Sequence, residues 1–70
     1  MRPFQFYKHD DCTDMLIRCL RYVWVKEKDG AKVKVQYYTR SAVKNCPPYF
    51  TGVIEEIFIP GDNMHKWKCA

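Results

Sequence analysis

The sequence predicts a mostly β domain: a small twisted antiparallel sheet, or a partly open SH3-like or Sm-like barrel, with a short helical turn near its C-terminal end. Three observations predict it. Apolar and polar residues alternate on both sides of Asp29-Gly30, the period of half-buried strands joined by a turn. Turn formers punctuate the chain at Asp29-Gly30, Cys46-Pro47-Pro48 and Pro60-Gly61-Asp62-Asn63. Finally, 70 residues that are 47% hydrophobic and 16% aromatic suffice for one domain, spanning 1–70, whose thin core draws on large aromatic side chains.

Taken in order, Phe4 to Tyr7 reads as a short edge strand with Phe4 and Phe6 on one side, and His9-Asp10-Asp11 reads as a loop. Met15 to Arg21 admits two readings. Asp14 can cap a helix that buries Leu16, Cys19, Leu20 and Val23, giving an α+β alternative with a helix over 14–21. A strand running straight into Tyr22 is preferred, because strand-like alternation follows at once.

From Tyr22 onward, Val23, Val25, Val33, Val35 and Tyr37 share one parity, and Tyr22, Trp24, Lys26, Lys32, Lys34, Gln36 and Tyr38 share the other. Register follows the buried face. A three-residue loop, Lys28-Asp29-Gly30, therefore pairs Val25 with Val33 and Val23 with Val35, and gives Gly30 the positive φ of a bulged turn. Lys26 then opposes Lys32, and Trp24 opposes Lys34. Tyr49 to Ile59 reads as a further strand, bent at Gly52 and ended by Pro60. Asp62 to Cys69 reads as one or two helical turns, with Met64 and Trp67 covering an open end of the sheet.

The net charge of +4 is compatible with nucleic acid or an acidic protein as partner. No run approaches the roughly 20 apolar residues that span a bilayer, and the first residues lack the apolar region of a secretory signal. No membrane partner is expected, and the expected location is cytoplasmic. Free thiols are then the preferred state of Cys12, Cys19, Cys46 and Cys69.

The polar parity of the hairpin supplies the first functional candidate. Lys26, Lys28, Lys32 and Lys34 with Trp24 and Tyr38 can neutralise phosphates and stack bases, and small barrels commonly bind nucleic acids on such a face. The bland alternative is a solvated face whose lysines discourage edge association. A second candidate is a zinc site, because His9-x-x-Cys12 and His65-x-x-x-Cys69 are two His/Cys pairs near the two ends of the chain. No other cofactor is expected.

No nucleophile–base–orienter set or glycine-rich phosphate loop is present, so the expectation is a non-enzymatic binding module. The other class carried forward is a protein-interaction or assembly module. It would use exposed aromatics among Phe4, Phe6, Tyr7, Tyr49 and Phe50, or a homodimer through a sheet edge. Phe4, Phe6 and Phe50 are expected to fill the core.

Asp10-Asp11 with Cys19, then Lys28-Asp29-Gly30 and Lys44-Asn45, resembles at scattered positions the bacterial Rof family, Sm-like barrels that inhibit the Rho termination factor. The resemblance implies a small barrel. A Rho-inhibiting role is not carried over, because the segment from Cys19 to Asp29 is shorter than in that family and this chain is basic where its members tend to be acidic.

Overall fold

The computed structural model describes residues 1–41 and 45–70, so Lys44 lies outside the described residues. Strands β1 (Phe6–His9), β2 (Cys12–Val25), β3 (Gly30–Thr39), β4 (Tyr49–Pro60) and β5 (Trp67–Cys69) form one antiparallel sheet in the order β4-β3-β2-β1-β5. A 3-10 turn at Lys26–Lys28 joins β2 to β3, and a second at Gly61–Lys66 joins β4 to β5. The fold is mostly β, as the alternation predicts. The sheet does not close into a barrel: β4 and β5 lie at its opposite edges, and the molecule extends 43 × 21 × 16 Å. The residues considered for a helix over 14–21 all belong to β2.

One face of the sheet carries the core. Ile17, Cys19, Ala31, Val33, Val35 and Ile59 are buried there with Tyr7. Tyr22, Tyr37, Ile57, Met64 and Trp67 pack around them, so Met64 and Trp67 do cover the sheet as their spacing suggests. Each fully buried Val or Ile contributes about 1.5–3 kcal/mol, and with so few of them the domain depends on every one.

The central hairpin differs from the expected register. Cys19 opposes Val35, but Arg21 opposes Lys34, leaving Leu20 as an extra residue in β2. A bulge of this kind inverts the parity of everything beyond it. Tyr22 and Trp24 therefore oppose Val33 and Ala31 on the core side, while Val23 and Val25 oppose Lys32 and Gly30. At the bulge the backbone of Cys19 is held by the N-terminal segment, donating its N–H to Gln5 O at 3.0 Å and accepting from Phe4 N–H at 2.6 Å. The positive φ falls on Asp29 (φ 48°), not on Gly30. Gly30 is required for a different reason: a Cβ there would lie 2.7 Å from the Ile59 carbonyl and collide with the Phe58 ring.

Three smaller expectations are also revised. β1 is not an edge strand, because β5 pairs along its other side. The second 3-10 turn ends at Lys66, and the rest of that segment is β5. None of Phe4, Phe6 and Phe50 belongs to the core: Phe4, in a turn before β1 at a φ of 65°, and Phe50 are exposed, and Phe6 is half-buried on the face opposite the core. The bend in β4 is at Gly52 (φ 89°), where the pairing with β3 is irregular.

Candidate functional site

The second face of the sheet is where the chain's chemistry gathers, and cross-strand register defines it row by row. Nearest the hairpin tip, Val23, Lys32 and Phe58 lie side by side across β2, β3 and β4. The next row is Arg21, Lys34 and Glu56. Arg21, Lys32, Lys34, Val23 and Glu56 enclose a shallow depression of about 210 Å³. Arg21 and Lys34 directly opposite one another repel mildly, and Glu56 on the other flank of Lys34 offsets this.

Beyond the bulge comes the row Phe6, Arg18, Gln36 and Ile54, then the row Lys68, Lys8, Leu16, Tyr38 and Phe50. Tyr38 joins the aromatic members. Its ring meets Phe6 edge-on at 4.9 Å and lies tilted against Phe50 at 5.4 Å. The Arg18 guanidinium lies 5.4 Å from the Phe4 ring centroid and 5.7 Å from that of Phe6, so the cation is held in place by the aromatics it adjoins. Gln36 Oε1, in the middle of this face, is buried and has no hydrogen-bond partner among the described residues.

The face is therefore both cationic and apolar. Phe50, Ile54, Phe58 and Val23 are each 40–50% exposed, more than isolated surface apolar residues require. The arrangement can attract an anion and also shelter flat apolar groups.

Of the residues singled out from sequence, Lys32, Lys34 and Tyr38 share this face. Lys26 and Lys28 lie at the tip, exposed in the 3-10 turn. Trp24 is carried to the opposite face by the Leu20 bulge, where it flanks Gly61. Arg18, Arg21 and Phe58 are not singled out by the sequence, and Phe50 is read there only as a core or protein-contact residue. Arg21 has the wrong parity until the bulge is known, whereas Phe58 is legible in retrospect as the residue of β4 that alternates with Ile57 and Ile59.

The four residues considered for zinc are placed differently. His9 and Cys12 face one another at the end of the β1–β2 hairpin. The His9 ring packs edge-on against Trp67 at 4.7 Å, and its Nδ1 accepts the Asp11 N–H at 3.1 Å. Cys69 lies opposite Tyr7 and accepts from Gln5 Nε2 at 2.9 Å. His65 is exposed in the second 3-10 turn. Among the described residues no three His, Cys, Asp or Glu side chains converge as a ligand set. All four cysteines are unpaired, and burial pushes the Cys19 thiol above its ordinary 9.0. Burial, reinforced by donation to Glu55 at 2.9 Å, likewise raises the Tyr37 phenol above 10.0.

Among the described residues no helix is long and apolar enough to cross a membrane. Comparison with known protein families, with curated proteins and with solved structures finds no match to this chain.

Proposed function

We propose that this domain binds single-stranded nucleic acid across the open face of its sheet, without catalysis. One observation carries the reading: Arg18, Arg21, Lys32 and Lys34 share a single face with Tyr38, Phe50 and Phe58. Guanidinium and ammonium groups neutralise phosphates, and aromatic rings stack on bases whatever their sequence. A sheet face with half-exposed rings favours unpaired strands, because the bases of a duplex are already stacked on one another. A cytoplasmic setting belongs to this reading and is supported by four unpaired cysteines.

Fluorescence anisotropy against generic single- and double-stranded oligonucleotides tests it. The single strand binds more tightly, its affinity falls steeply with salt, and changing both Lys32 and Lys34 to Glu abolishes binding. Affinity that does not respond to salt would refute the proposal.

A second reading, a protein-interaction or assembly module, is favoured by β4. This edge strand of 12 residues exposes Tyr49, Phe50, Val53, Ile54 and Phe58, and a long apolar edge invites another strand. Glu55 and Glu56 in its middle oppose self-pairing. Sedimentation over a range of concentrations separates the readings, since edge pairing yields a dimer that salt barely weakens.

A further inference from the structure

At the far end of the open face from the hairpin tip, a groove of about 540 Å³ runs between the Pro47-Pro48 segment and the β1–β2 surface. Its volume falls in the range of small-molecule sites, roughly 300–1,000 Å³. Phe6, Leu16, Pro47 and Pro48 give it apolar walls, and Lys8 and Arg40 give it two cations. Cys69 and the last residue, Ala70, complete the lining, and among the described residues no Asp or Glu side chain lines it and neither cation has an ion-pair partner. Asp10 and Asp14 border the adjoining depression that Lys8 and Arg40 also line, so the cations stand between an acidic side and an apolar one.

The groove continues the aromatic row. Leu16 opposes Tyr38, whose ring touches Phe6 and Phe50. A strand laid along the rings therefore reaches the groove as it leaves the sheet face. The charges suit an end rather than an interior linkage: a phosphodiester carries one negative charge, whereas a phosphate monoester carries about 1.5 to 2 at neutral pH, matching two cations.

We infer that this groove is a pocket for a terminal nucleotide, its base held between Pro47-Pro48 and the Phe6–Leu16 wall and its phosphate monoester between Lys8 and Arg40. The choice of a nucleotide over other amphipathic anions rests on the reading of the sheet face given above. Arg40 supplies a planar fork suited to two phosphate oxygens, and Lys8 a point charge. The apolar walls make the site selective for a phosphate that carries a base.

The test titrates the full chain with adenosine monophosphate, adenosine and inorganic phosphate, following backbone amide NMR signals. The monophosphate is expected to shift the Leu16 and Arg40 amides and to bind at least about tenfold more tightly than either of the others. Lys8→Gln and Arg40→Gln, both at exposed positions, each weaken it by about tenfold while leaving the thermal midpoint unchanged. Adenosine or inorganic phosphate binding as tightly as the nucleotide overturns the proposal, as does wild-type affinity in both variants.

The Lys32→Glu/Lys34→Glu protein keeps the groove separate from the sheet face. It retains the monophosphate and loses the oligonucleotide. Oligonucleotide binding by the wild type without monophosphate binding ends the groove proposal alone. Monophosphate binding without oligonucleotide binding upholds the groove and ends the reading of the face.

Discussion

Neutralising Lys32 and Lys34 together as glutamines should halve the salt dependence of oligonucleotide binding. Four cations of the open face, Arg18, Arg21, Lys32 and Lys34, are the ones assigned to the strand's internal phosphates, Lys8 and Lys68 lying in its last row. If each displaces one counterion from a single strand, log affinity falls with log salt at a slope of about −2.8, so a rise from about 50 to 200 mM salt costs about fiftyfold. Removing two charges leaves a slope of about −1.4 and a loss of about sevenfold over the same range. Both lysines are exposed, and Glu56, the acid that flanks Lys34 across the strands, forfeits less than about 1 kcal/mol of surface attraction. The fold should therefore survive, which a thermal midpoint verifies. Anisotropy of a labelled oligonucleotide at five salt concentrations gives both slopes. A double variant whose slope equals the wild type's would refute the assignment of these lysines to phosphates, even if its affinity were lower.

Other perturbations probe the rings, the turn and the core. Phe50→Ala removes a half-exposed stacking partner of Tyr38, and should weaken oligonucleotide binding by about 1–3 kcal/mol with the salt slope unchanged; a changed slope would argue against stacking. Gly30→Ala drives a methyl group into the Phe58 ring and the Ile59 carbonyl and should cost about 1–3 kcal/mol, read as a thermal midpoint lower by roughly 4–8 °C per kcal/mol. An unchanged midpoint would mean the hairpin tip is less tightly covered than described. Alkaline pH should destabilise the domain, because Cys19 and Tyr37 hold their protons more tightly folded than unfolded. Their contribution is complete below about pH 9 and is lost as pH rises through 9 to 10 and beyond. Urea midpoints at about pH 8 and 10.5 would show the decline, and Tyr37→Phe should make it shallower.

How far the fold could be read from the residues is clearest in the hairpin. Ala31, Val33 and Val35 alternate with Lys32 and Lys34 without interruption, so the two faces of β3 follow directly from a period of two. β2 reads wrongly over its second half because Leu20 is an extra residue. Nothing local marks it, since Leu20 is as good a strand former as its neighbours; it coincides with bonding of the Cys19 backbone to residues 4 and 5, a contact between distant segments. The same inversion sent Trp24 to the wrong face and hid Arg21. Gly52 announced its bend, being the residue type that tolerates a φ of 89°. β5 escaped notice because three residues carry no period, and only pairing with β1 makes them a strand. The groove beneath Pro47-Pro48 was beyond reach, since its cations, Lys8 and Arg40, come from segments that only the sheet brings together.

The fluorescence of Trp24 and Trp67 tests the central arrangement most directly. Both indoles belong to the core-side face, away from the surface assigned to nucleic acid. Saturating the protein with a single-stranded oligonucleotide should therefore leave tryptophan emission unquenched while anisotropy reports full binding. Strong quenching would place Trp24 beside the lysines and contradict the inverted register on which the binding face is built.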